Sequence, residues 1–155
     1  MPAWKKICCP VDFSWESRIA MEEAADLAWR FGGELALLHV DTRPPLTGDA
    51  PGAREARDQG TAELERKLAA WRDAAEPIAT TTVTSALVAG GPAEEIVRFA
   101  HDGGHDVIVM GTHGATGLEH WGLGSVAQSV VREAPCTVVV VRGRVSRPAD
   151  QIPSR

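Results

Sequence analysis

Short apolar runs and apolar stripes at helical spacing alternate along this chain, and no other feature limits its fold as much: such alternation is the pattern of a parallel sheet covered by helices. Five runs read as strands: Trp4 to Val11, Glu34 to Asp41, Thr80 to Val88, Asp106 to Met110 and Thr137 to Val141. The second holds the unbroken stretch Leu35 to Leu38, as a strand buried on both faces does. The third is rich in threonine and valine. The expected architecture is an α/β fold with an open, five-stranded, mostly parallel sheet and helices on both faces.

The intervening segments fit this plan. Ala20, Ala24, Leu27, Ala28 and Phe31 recur at helical spacing, with Ser14 placed to cap the start and Gly32 and Gly33 to stop the end. Leu64, Leu68, Trp71 and Ala75 form a second stripe on an otherwise charged segment. Gly90, Gly91 and Pro92 introduce a third helix, with Glu94 and Glu95 near its positive end and Ile96, Val97, Phe99 and Ala100 as core candidates. Val126 to Ala134 is the last helical run. Thr42 to Gly52 carries Pro44, Pro45, Gly48 and Pro51 and reads as an irregular, exposed loop. Residues 1–143 read as one domain and 144–155, with Pro148 and Pro153, as a disordered tail.

Composition narrows the function. A chain of 155 residues, 44% apolar and 24% charged, buries one core and is short for two. With 16 basic against 21 acidic side chains and a net charge of −5, it offers no basic face to a nucleic-acid backbone. Ile7 to Val11 is far too short for a signal-peptide core or membrane span. Cys8, Cys9 and Cys136 form no CxxC pair, and an odd count suits no secreted disulfide framework, so they read as buried thiols. A soluble, cytoplasmic protein with neither membrane nor nucleic-acid partners is expected.

The chemistry concentrates after the fourth strand. Gly111, Thr112, His113, Gly114, Ala115, Thr116 and Gly117 follow it directly, and Gly124 and Ser125 precede the last helix. Ligands of open parallel sheets bind outside the carboxyl ends of the strands, where this segment lies. Glycines let a backbone approach an anion closely, and the free N–H groups of a helix start favour negative charge. A phosphate fits there without a lysine.

The spacing of Gly111, Gly114, Gly124 and Ser125 resembles the G-x2-G-x9-G-[S/T] pattern of ATP-binding universal stress proteins. The likeness extends to Pro10, Val11, Asp12 and Ser14, to Leu38, His39 and Val40, to Gly91 through Ile96, and to Ala134, Pro135, Cys136 and Val138 to Val141. It covers about Lys5 to Arg142. The resemblance implies a Rossmann-like, adenine nucleotide hydrolase-like sheet in the order 3-2-1-4-5 and a homodimer paired through the last strand. It also implies a nucleotide site. Gly111 to Gly117 would run along ribose and phosphates, with Gly124, Ser125 and Val126 adding N–H groups and a hydroxyl. Pro10, Val11 and Asp12 would border the nucleotide, and Val40 would meet the adenine. Asp12 is also the expected oxygen ligand for a Mg2+ ion. Phe13 stands where the family often has glycine, and Ala115 where many members have arginine. A ring that narrows the entrance and a missing phosphate counter-charge are the expected consequences.

Other motifs carry less. Gly122 to Ala127 formally fits the dinucleotide fingerprint GxGxxG/A but does not join a first strand to its helix, and no Walker sequence exists. From Gly111 to Val131 there is no lysine or arginine to clamp a transferring phosphoryl group. His113 lacks an evident orienting partner and reads as a loop histidine beside the ligand. His101 and His105 share a helix face only if the helix runs through Gly103 and Gly104, which argues against zinc. His39 reads as a satisfied core histidine, and most of the five tryptophans as packing residues, with Trp121 available to cover a nucleotide.

The expected function is therefore an ATP-binding stress-response module with no catalytic residues and at most slow ATP hydrolysis. The alternatives are a slow hydrolase using the same site and a nucleotide-free dimeric interaction protein.

Overall fold

A computed structural model of the chain describes residues 3–48, 50–113 and 122–143. Five parallel strands, β1 (Lys6–Pro10), β2 (Glu34–Asp41), β3 (Val83–Ala89), β4 (Val107–Gly111) and β5 (Thr137–Val141), form one sheet in the order β3-β2-β1-β4-β5. Four helices connect them: α1 (Trp15–Phe31), α2 (Ala53–Ala79), α3 (Pro92–Asp102) and α4 (Ser125–Glu133). The expected strand order and the helical cover are both found.

Period-two alternation in the strands builds two cores. Ile7, Cys9, Leu35, Leu37, Val107 and Val109 face α1 and α2, packing on Ala20, Ala24, Ala28, Leu68 and Ala75. Cys8, Leu38, Val40, Ile108 and Met110 face α3 and α4, meeting Ile96, Ala100, Ala127 and Val130. Of the expected core of α3, Ile96 and Ala100 are buried while Val97 and Phe99 are half-buried. The alanine face of α1 is flat, which lets that helix lie close on the sheet.

Local signals act where the sequence puts them. Ser14 Oγ accepts the N–H of Ser17 at 3.2 Å, and Gly32 ends α1 in the left-handed region at φ 58°. Pro92 occupies the first turn of α3. Several boundaries shift from expectation, three of them for reasons the structure shows. β1 begins at Lys6 rather than Trp4, because the N–H groups of Lys5 and Lys6 both donate to Asp106 Oδ2 at 2.8 Å. Asp106 in turn spends its carboxylate on that anchor and stands just outside β4. α2 runs through Pro77 to Ala79, so β3 starts at Val83 rather than Thr80. Pro77 lies on the exposed side of the last turn, and buried Ala79 holds that turn down. Thr80 then reverses the chain at φ 50°.

The tryptophans divide. Trp4 and Trp71 pack on the core, but Trp15 and Trp29 are 72% and 56% exposed, contrary to a general packing role. Both lie on the side of α1 turned from the sheet, because the alanine face that packs on the sheet leaves no room for a large ring. Trp121, Gly114, Ala115, Thr116, Gly117 and the tail 144–155 lie outside the described residues.

Candidate functional site

The sheet changes direction between β1 and β4: from β1 the chain steps outward to β2 and β3, then returns to β4 on the other side. Such a switch point opens a crevice at the carboxyl ends of the strands. Here it is a cavity of 940 Å³, large enough for a ligand well above fragment size. Its wall brings together Pro10, Val11 and Asp12 from β1, Val40 from β2, Gly111, Thr112 and His113 from β4, and Gly124, Ser125 and Val126 from α4. Every described residue expected at the site lines this one cavity.

The start of α4 opens into the cavity. Gly124 is the N-cap, with no side-chain hydrogen bond to the first turn. The first turn of a helix has no intrahelical acceptors for its N–H groups, so among the described residues those of Ser125, Val126 and Ala127 have no helical partner and can serve a ligand. Gly124 N–H itself donates to Thr112 O at 2.7 Å, which ties the helix start to the end of β4.

Two glycines of the motif have packing reasons of their own. A Cβ at Gly111 would stand 3.2 Å from Glu16 Cβ and 3.3 Å from its carbonyl carbon and oxygen. At Gly124 it would meet Thr112 O at 3.1 Å. Glycine at these positions thus brings α1, β4 and α4 into contact around the cavity.

That contact carries the side chain which sequence reasoning missed. Glu16, in the first turn of α1, accepts the backbone N–H of His113 at 2.7 Å and the hydroxyl of Thr112 at 3.0 Å with the same oxygen, Oε2. Thr112 Oγ1 lies 2.9 Å from His113 Nδ1. With the hydroxyl proton directed at Glu16, Nδ1–H donates to Thr112 and Nε2 carries the lone pair. His113 therefore does have an orienting partner, against expectation. Its Nε2 is buried, with no hydrogen-bond partner among the described residues. Nothing in the spacing betrays Glu16, which is 97 residues from His113.

The opposite wall supplies cations. Lys67 of α2 lines the cavity, 3.4 Å from Glu63, and Arg43 lines it from the β2–α2 connection. A positive side chain thus faces the ligand space although none occurs in the glycine segment. Asp41, 6% exposed, receives Arg43 through Nε and Nη2 at 2.6 to 3.0 Å. Those hydrogen bonds hold its carboxyl down at about 2.

Phe13 does not narrow this entrance. Its backbone takes the left-handed conformation, φ 63°, and turns the ring onto His39, 4.5 Å away, and edge-on to Trp71, 5.4 Å away. The ring is absent from the cavity wall. His39 Nδ1–H donates to Val11 O at 2.7 Å, a satisfied histidine as expected. Gly103 ends α3, and among the described residues no cluster of three His, Cys, Asp or Glu side chains is placed to hold a metal. None of the described helices is long and apolar enough to cross a membrane.

Cys8 and Cys9 are buried; burial pushes the Cys8 thiol up to about 12 and that of Cys9 well above its ordinary value. Cys136 is only half-buried, and its thiol is raised by the same cause.

The fold and the sequence have known counterparts. The universal stress protein family model matches residues 3–142. Universal stress protein MJ0531 of Methanocaldococcus jannaschii is 36% identical, over 90% of this chain and 82% of its own length. The solved structure of MJ0577, from the same organism, superposes with a TM-score of 0.82 at 32% identity, covering 94% of this chain and all of its own. Universal stress protein UspA from Lactobacillus plantarum superposes at 0.81 with 26% identity, covering 92% of this chain and all of its own. More distant structures share the fold. One from Arabidopsis thaliana has AMP bound (TM-score 0.65, 20% identity, 97% and 96% covered), and one from Archaeoglobus fulgidus is in complex with dAMP (0.67, 20%, 90% and 98%). A third universal stress protein is in complex with cAMP (0.69, 22%, 91% and 98%). With a family model spanning nearly the whole chain and a relative above 30% identity along most of it, this chain belongs to the universal stress protein family.

Proposed function

We propose that the cavity binds ATP with Mg2+ and that the protein is a cytoplasmic stress-response module, its surface altered by the ligand rather than the ligand turned into product. One observation carries this most: the uncapped start of α4 opens into the cavity at the switch point of the sheet. The phosphates rest on the N–H groups of Ser125, Val126 and Ala127, and the far end of the nucleotide lies toward Val40 on β2. Lys67, on the wall across from α4, adds positive charge to the ligand space. The AMP, dAMP and cAMP complexes of distant family members support an adenine nucleotide as the ligand class.

The residues present fit a phosphate-borne Mg2+. Such an ion keeps most of its shell as water and phosphate oxygen and asks little of the protein. Asp12, on the cavity wall, is the carboxylate for it; its Oδ1 already accepts Ser14 N–H at 3.0 Å, which fixes its orientation.

Slow hydrolysis is a second reading, favoured by the Glu16–Thr112–His113 chain, because a histidine with a fixed tautomer and a bare Nε2 is the form a general base takes. We assign the chain to positioning and expect His113→Ala to leave any turnover nearly unchanged. Assembly is expected as a homodimer through β5, an apolar edge strand bonded on one side to β4. Sedimentation showing only monomer at micromolar concentration would count against it.

The test is mass spectrometry of small molecules released from protein purified without added nucleotide. Adenine nucleotide in near-equal amount is expected. An empty protein that also ignores added ATP would leave the nucleotide-free interaction protein in its place.

A further inference from the structure

α2 contains a glycine, Gly60, in its interior, seven residues from its start at Ala53. Glycine is costly in a helix interior, where alanine is the best residue. The reason lies on the cavity side. A Cβ at Gly60 would stand 2.1 Å from Arg43 Nη1 and 3.2 Å from Cζ, so the guanidinium occupies the space a side chain would fill.

The rest of that guanidinium is fixed. Nε and Nη2 donate to Asp41, Nη2 also donates to Thr61 Oγ1 at 3.1 Å, and Arg43 N–H donates to Asp41 Oδ1 at 3.0 Å. Arg57 braces the turn, with Nη1 donating to Pro44 O at 2.6 Å. Nη1 of Arg43 has no hydrogen-bond partner among the described residues, although Arg43 and Gly60 both line the cavity. Two N–H donors on a rigid planar fork are a recognition element for a planar acceptor.

Their position selects the part of the ligand. β2 and β4 flank β1, so their carboxyl ends lie roughly 10 Å apart at ordinary strand spacing. The anion-binding amides belong to the β4–α4 side and Arg43 to the β2 side. A nucleotide with its phosphates at α4 brings its base, not its phosphates, to Arg43.

We propose that Arg43, seated in the notch left by Gly60, is a specificity-determining residue that donates from Nη1 to the acceptor edge of the purine base. This rests on the nucleotide-binding function proposed above.

Calorimetric titrations with AMP, ADP and ATP on the parent, Gly60→Ala, Arg43→Ala, Arg43→Lys and the Gly60→Ala/Arg43→Ala double variant test it, after circular dichroism shows each folded. The single variants should each lose at least fivefold in affinity, by the same factor for all three nucleotides. The double variant should bind no worse than Arg43→Ala, since both changes remove one contact. If Gly60→Ala does not fold, the two Arg43 variants and the comparison across nucleotides still decide. Variants that bind like a nucleotide-binding parent would overturn the role of Arg43 and leave the nucleotide site standing. A loss that grows with phosphate number would overturn the assignment to the base. A parent that binds none of the three would overturn both.

Discussion

Phe13 lays its ring 4.5 Å from that of His39 while its own backbone stands in the left-handed region, at φ 63°. A non-glycine residue pays roughly 1 kcal/mol for that conformation. The ring offsets this by packing on His39 and Trp71. Phe13→Ala should therefore lose the packing and keep the strain, whereas Phe13→Gly loses the packing and sheds the strain. Chemical denaturation should rank the parent first, Phe13→Gly next and Phe13→Ala last, with the two variants about 1 kcal/mol apart. Alanine ranking above glycine would contradict the left-handed geometry.

Glu16 joins α1 to the end of β4 through one carboxylate oxygen. Glu16→Ala leaves the backbone N–H of His113 without its acceptor, while the hydroxyl of Thr112, which is 4% exposed, keeps only His113 Nδ1. A buried group left without a partner costs about 1 to 3 kcal/mol. Glu16→Gln keeps an acceptor at the same place and should recover most of that loss in thermal melts. Equal melting temperatures for the two variants would show that the carboxylate does not hold the loop.

The strands, the helices between them and the glycine segment after β4 are legible in the sequence as local signals, whereas the sheet order and the cavity residues from β1 and β2 follow from the family resemblance. What escaped depends on contacts distant in the chain. Glu16 meets His113 across 97 positions, and nothing near either residue announces the pairing. Lys67 reaches the cavity from α2, which folds back over β2, and Arg43 reaches it from the β2–α2 connection, so neither cation shows in the glycine segment. Helix α2 runs through Pro77 to Ala79, past Ala75, the last residue of its apolar stripe, and Ala79 is buried. Phe13 reads as an obstruction in the sequence alone, which gives the residue but not its φ of 63°.

Asp41 gives the fold a defined response to acid. Its carboxyl is lowered from 3.8 to about 2, chiefly by the hydrogen bonds from Arg43. The folded state thus holds its proton less tightly than the unfolded chain does. The associated stability is present in full above about pH 4 and is lost as pH falls toward 2. Because Arg43 is partly exposed, the amount is on the order of 1 kcal/mol after screening. Urea midpoints at pH 5 and pH 2.5 should draw together for the parent and Asp41→Asn as the pH falls. A constant gap across that window would contradict the pairing.

Burial decides the thiols. Cys8 and Cys9 lie within β1, fully covered by both cores, while Cys136 is half-buried ahead of β5. Iodoacetamide at pH 8 should label Cys136 first and leave Cys8 and Cys9 untouched until urea unfolds the chain, as peptide mass spectrometry would show. Labelling of Cys8 in the native protein at the rate of Cys136 would contradict the burial of β1.

The central claim, a nucleotide held across the switch point with its phosphates on the start of α4, is tested most directly by a residue-resolved amide NMR titration with Mg-ATP. The account predicts saturable shifts concentrated at Asp12, Val40, Gly111 to His113 and Gly124 to Ala127, reaching one equivalent, while amides at the opposite end of the sheet, such as Lys6 and His105, stay in place. Shifts confined to that opposite end, or none at millimolar ATP, would contradict it.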